Sequence, residues 1–116
     1  MAKKQTVFKA NGRIWIDSAE EPFLGYGRIE LLEKIQELGS IRQAAIAMKM
    51  SYRQAWDFID QMNQRAGEPL VVSQKGGKGG GKALVTPKGL LAIQQFIQFN
   101  NSFQKFLAKE TSKLNL

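Results

Sequence analysis

The chain has 116 residues, 43% of them hydrophobic, enough for one domain with a small core. It contains neither cysteine nor histidine, which removes disulfides, thiol nucleophiles and the commonest general base and metal ligand together. No catalytic residue, metal or cofactor is expected, and the chain is not read as an enzyme. The net charge of +7 sits wholly in residues 40–116, which hold eleven basic and four acidic side chains, while residues 1–39 hold six of each. That asymmetry points to a polyanionic partner.

The basic start MAKKQTVF is not followed by an apolar h-region, and no apolar run reaches 18 residues. Neither a signal peptide nor a membrane span is expected, and the expected location is the cytoplasm. Residues 1–26 read as an N-terminal strand region. Asn11-Gly12 is a strong turn pair, residues 13–16 alternate as a strand should, and residues 7–10 are its candidate partner. Asp17 to Pro22 reads as a polar loop. Residues 27–65 read as three helices. The first, 27–38, carries Ile29, Leu32, Ile35 and Leu38 at spacing three and stops at Gly39. Ser40 and Ser51 are then two helix caps eleven positions apart. They predict a short alanine-rich helix, Ile41 to Met48, and a longer one from Tyr52 to about Arg65. Two helices with so short a connection are the sequence form of a helix-turn-helix.

Gly67-Glu68-Pro69 ends that helix. Residues 70–86 read as a β-hairpin, with strands at 70–73 and 83–85 joined by the tip QKGGKGGGK (74–82). A hairpin following a helix-turn-helix is a wing. Thr86 caps a last helix with Pro87 at its first position, running to about Lys109. The whole is read as one domain, mainly α with a small β component.

On a helical wheel Tyr52, Ala55, Trp56, Ile59 and Met62 share one face, read as the core side. Arg53, Gln54, Asp57 and Gln61 share the other. Arginine pairs bidentately with guanine and glutamine with adenine, and the N-terminal residues of such a helix reach the bases. Ser51, Tyr52, Arg53, Gln54 and Asp57 are therefore the expected base contacts. Arg42, Lys49, Lys75, Lys78 and Lys82, with Gly76, Gly77, Gly79, Gly80 and Gly81 of the tip, are the expected backbone contacts. Gly76, Gly81 and Lys82 also fit G-x-x-x-x-G-K, but Ala83 stands where the phosphate-binding loop needs Ser or Thr, and a strand follows instead of a helix. Nucleotide binding is set aside.

The last helix is apolar over more than half its circumference, whereas one core needs a stripe of about 100°. A second copy of the chain would cover the excess, with Leu91, Phe96, Phe99, Phe103 and Phe106 as the interface. Two rival readings use the same fold: a sequence-indifferent architectural DNA binder, and a protein–protein adaptor.

The run GSIRQAAIAMKMSYRQAWDFIDQMN, then GEPLV, then GGKGGGKALVTPKG resembles the N-terminal DNA-binding domain of ModE-type molybdate-responsive regulators, itself similar to that of LysR-type regulators. The resemblance runs from about Gly25 to Gly89. Its specific parts are Ser51, Tyr52, Ala55 and Trp56, and the glycine tip from Gly76 to Gly81. It implies a homodimeric regulator of transcription that binds double-stranded DNA. It further implies that the helix from Tyr52 enters the major groove, that the tip is the wing and that the last helix pairs subunits. The family's molybdate-binding module would follow the last helix, beyond Leu116, so molybdate is not expected to bind this chain.

Overall fold

The structure is a computed structural model that describes residues 6–74 and 81–116. Its order is β1 (Ile16–Ser18), β2 (Glu21–Leu24), α1 (Tyr26–Leu38), α2 (Ile41–Ala47), α3 (Tyr52–Ala66), β3 (Val71–Gln74), β4 (Lys82–Val85) and α4 (Pro87–Ser112). The three helix starts expected from hydroxyl caps are made that way. Gln43 N–H donates to Ser40 Oγ at 3.1 Å, Gln54 N–H to Ser51 Oγ at 3.0 Å and Gly89 N–H to Thr86 Oγ1 at 3.0 Å. Each bond satisfies a first-turn donor that has no partner inside its helix. Gly39 and Gly67 close α1 and α3 with φ of 67° and 78°, the left-handed conformation that glycine adopts without a Cβ penalty.

The core is a single cluster. α1 supplies Ile29, Leu31, Leu32 and Ile35, α2 supplies Ile41, Ala44 and Ala45, α3 supplies Ala55, Ile59 and Met62, and α4 supplies Ile93 and Phe96. Ala44, Ala45 and Ala55 let the backbones of α2 and α3 come close to their neighbours. Leu70, Val71 and Ala83 anchor the base of the β3–β4 hairpin in the same cluster. β3 and β4 pair antiparallel, Val71 opposite Val85 and Gln74 opposite Lys82. Ala83 N–H donates to Gly39 O at 3.0 Å and ties the hairpin to the end of α1, while Thr86 N–H donates to Leu70 O at 2.9 Å and closes the hairpin's own base.

The N-terminal region differs from expectation. The hairpin is β1–β2, with Ile16 opposite Leu24 and Ser18 opposite Glu21, so the stretch read as a polar loop is the hairpin itself. Its turn residues, Ala19 and Glu20, both have positive φ, 50° and 70°. Neither has the chemistry that announces such a turn. Asn11-Gly12 makes no hairpin. Residues 6–15 form no regular strand and run beside the far half of α4, where Ala10 N–H donates to Thr111 Oγ1 at 2.9 Å. A Cβ on Gly12 would stand 2.9 Å from Phe103 Cζ, so this glycine serves a close approach.

α4 extends three residues past Lys109, to Ser112. All its buried residues (Gly89, Ile93 and Phe96) lie in its first ten positions. Beyond Phe96 the helix continues for four more turns with no fully buried side chain.

Candidate nucleic-acid interface

Ser51 starts α3 by capping Gln54 N–H, and Ala55, Ile59 and Met62 turn one face of the helix into the core. The geometry of the cap and that apolar spacing leave Tyr52, Arg53, Gln54 and Asp57 exposed. Arg53, Gln54 and Asp57 are brought together on the outward face as read from the wheel. Tyr52 is not on the core side as that wheel implied: it is 43% exposed. Trp56 is half-buried against the core. Tyr52 sets its ring edge-on to that of Trp56, with centroids 6.3 Å apart, and Arg42 of α2 places its guanidinium carbon 4.6 Å from the Tyr52 ring centre.

Gln61 leaves the outward set. It is half-buried, and its Oε1 accepts a 2.6 Å bond from Arg28 Nη2. Arg28 also lies over the Phe58 ring at 4.8 Å and donates from Nη1 to Pro22 O at 3.3 Å. Burial, and then the charge of Arg65, lower the Arg28 guanidinium from its usual value, yet a guanidinium stays protonated across the working range. Arg65 in turn donates to Pro22 O and pairs with Glu21 at 2.6 Å. This network locks α3 to α1 and to the β1–β2 hairpin.

The turn from Met48 to Ser51 carries Lys49 at φ 55°. A lysine in the left-handed region costs about 1–2 kcal/mol relative to a right-handed residue, and here it leaves an exposed lysine in the turn that precedes α3. Lys82 is exposed at the outer end of β4 and Gly81 is exposed just before it. Among the described residues none of the four ion pairs uses Arg42, Lys49, Arg53 or Lys82. Their charge is available to a polyanion. Lys75, Gly76, Gly77, Lys78, Gly79 and Gly80, the expected tip contacts, lie outside the described residues. Among the described residues no three side chains group as metal ligands, and no helix is long and apolar enough to cross a membrane.

Sequence reasoning missed Asn63. Its Oδ1 accepts from Leu70 N–H at 2.8 Å and Val71 N–H at 3.2 Å, and its Nδ2 donates to Val71 O at 3.0 Å. One carboxamide therefore sets the hairpin against α3. The available signal was a poor helix former placed in the last turn of the helix beside the core residue Met62.

On α4, Leu91, Phe99 and Phe106 are 44, 58 and 55% exposed. Phe103 is half-buried and stacks on Phe106 with centroids 6.5 Å apart. Phe96 is withdrawn from the expected subunit interface. It is 2% exposed and meets Tyr26 of α1 edge-on at 5.5 Å, because its stripe of the helix, shared with Ile93, faces the chain's own core.

Two capped helices at a tight turn, the second presenting its N-terminus, followed by a hairpin seated on the first helix layer, define a winged helix-turn-helix domain. Residues 26–90 match the family described as bacterial regulatory helix-turn-helix protein, lysR family. That match covers more than half of the chain, and the chain belongs to this family. It is 38% identical over 103 residues to the molybdenum transport protein ModE of Azotobacter vinelandii, spanning 89% of this chain and 38% of that protein. It is 46% identical over 69 residues to the DNA-binding transcriptional dual regulator ModE of Escherichia coli K12, spanning 60% of this chain and 26% of that one. The chain thus spans between a quarter and two-fifths of the length of these relatives, and the ModE-type resemblance read from its residues stands. Two solved structures share its fold. ArgP from Mycobacterium tuberculosis aligns with a TM-score of 0.52 at 21% identity, over 73% of this chain and 30% of that one. The BenM DNA-binding domain in complex with catB site 1 DNA aligns with a TM-score of 0.53 at 15% identity, over 78% of this chain and 97% of that one.

Proposed function

We propose that residues 1–116 act as one DNA-reading unit of a transcription regulator, which binds a specific double-stranded site in the cytoplasm as a homodimer. The observation that carries this reading is the outward end of α3: Arg53, Gln54 and Asp57 stand exposed beside a capped helix start, amid Arg42, Lys49 and Lys82, which join none of the ion pairs among the described residues. α3 enters the major groove. Arg53 offers a guanine two donors, Gln54 reads adenine by a donor and an acceptor, and Asp57 accepts from a cytosine amino group. Arg42, Lys49 and Lys82 meet phosphates on either side, and the lysines and glycines of the tip continue that contact along the duplex.

α4 pairs the two subunits. A helix with no buried residue over its last four turns, yet bearing Leu91, Phe99, Phe103 and Phe106, has apolar surface that a second copy would cover. A two-fold pair of reading helices matches a two-fold site on DNA.

The test compares Arg53→Ala with the parent chain on a site selected from random duplexes. Loss of one bidentate base contact should weaken binding to that site by about 1–3 kcal/mol, relax the base preference at one position per half-site, and leave binding to random DNA nearly unchanged. An Arg53→Ala variant with undiminished preference would remove Arg53 from the reading set.

A further inference from the structure

Arg42 and Tyr52 stand on the two helices of the helix-turn-helix and meet across the turn. The guanidinium carbon of Arg42 lies 4.6 Å from the centre of the Tyr52 ring. Trp56, one turn further along α3, presses edge-on to the same ring at 6.3 Å and 88°. Tyr52 is thus held between a cation and an indole, yet it remains 43% exposed. An aromatic ring at the first position of α3, fixed in place but open to solvent, belongs to the outward surface rather than to the core.

A side chain serving only as a phosphate anchor does best extended into solvent, and lysine serves it as well as arginine. Arg42 instead stands over an exposed ring, a cation–π contact that arginine, with its planar, delocalised and weakly hydrated charge, makes more readily than lysine. We infer that Arg42 is a positioning residue for Tyr52, and that the held ring is a specificity-determining contact to the C5-methyl group of a thymine. The major groove offers one apolar group to a protein, and that group is the thymine methyl. A ring already fixed on two sides loses little freedom when it meets the methyl. The inference rests on the reading that α3 enters the major groove.

The experiment uses the whole chain and its selected site. Each thymine of the site is replaced in turn by deoxyuridine, which removes only the methyl. With the parent chain one position per half-site should lose about fourfold in affinity, the worth of one buried methyl-sized group. With Tyr52→Ala the same replacement should lose nothing, while Tyr52→Phe should retain the effect. Arg42→Lys should lower affinity for the selected site by roughly three- to fivefold, leaving affinity for random duplex and the salt dependence as they were, because the charge is kept. Two results overturn the inference. One is a parent chain indifferent to every thymine methyl. The other is an Arg42→Lys variant identical to the parent, paired with an Arg42→Gln variant that flattens the salt dependence, which makes Arg42 a plain phosphate anchor. A parent chain with no preferred site at all would instead defeat the functional reading, and this inference with it.

Discussion

Asn63→Ala isolates how the reading helix holds the wing. The carboxamide makes three bonds to the backbone of Leu70 and Val71, at 2.8, 3.2 and 3.0 Å. Leu70 is fully buried and Val71 is 3% exposed, so their backbone groups have little access to water once alanine removes the carboxamide. A buried N–H left without a partner costs about 1–3 kcal/mol, and each remaining bond contributes about 0.5–1.5 kcal/mol net. Together they predict a loss of about 2–6 kcal/mol. For a domain of this size that lowers the melting temperature by roughly 8–25 °C. Thermal melting followed by circular dichroism measures it. A second readout is functional: below the melting transition, a wing no longer seated on α3 should bind every duplex more weakly, with Lys82 placed less well. A melting temperature within about 2 °C of the parent would refute the argument that Asn63 is the tie between α3 and β3.

Gly89→Ala should destabilise the domain by about 1–3 kcal/mol or more, since a Cβ there meets the Leu70 carbonyl oxygen and lies 2.6 Å from Val85 Cγ1; an unchanged denaturant midpoint would contradict the close approach. Lys49→Gly should act in opposite directions on two assays. Stability should rise by about 0.5–1 kcal/mol as the left-handed strain is relieved, while the slope of log affinity against log salt should fall by about 0.9. Combined Phe99→Ser and Phe106→Ser should weaken self-association by roughly a hundredfold or more, because each buried phenylalanine contributes about 1.5–3 kcal/mol. Sedimentation equilibrium reads that change, and circular dichroism should show the same helix content, since neither ring belongs to the core.

What was legible in the chain was local chemistry. Ser40, Ser51 and Thr86 announce helix starts because a cap needs only its own side chain and an N–H three residues on. Gly39 and Gly67 announce helix ends for the same reason. The outward set of Arg53, Gln54 and Asp57 follows from Ala55, Ile59 and Met62 by helical period alone. What depends on partners far along the chain was not legible. Ala19-Glu20 takes a positive-φ turn through the pairing of its flanking strands, while Asn11-Gly12, with far better turn chemistry, is used for contact with Phe103. The wheel of α4 shows excess apolar surface, but it cannot say that Phe96 meets Tyr26 of α1 while Phe99 meets solvent. Gln61 looks outward until Arg28, 33 residues earlier, reaches over to bind it.

Reading of base edges by α3 is the central claim. The most direct measurement is selection of bound duplexes from a random pool, followed by competition between the selected site and random DNA at fixed salt. The expected outcome is a two-fold symmetric site, its half-sites one helical turn or a multiple apart, preferred by roughly 10³-fold or more. Duplexes that emerge unenriched, with random DNA competing as well as any chosen sequence, would contradict it.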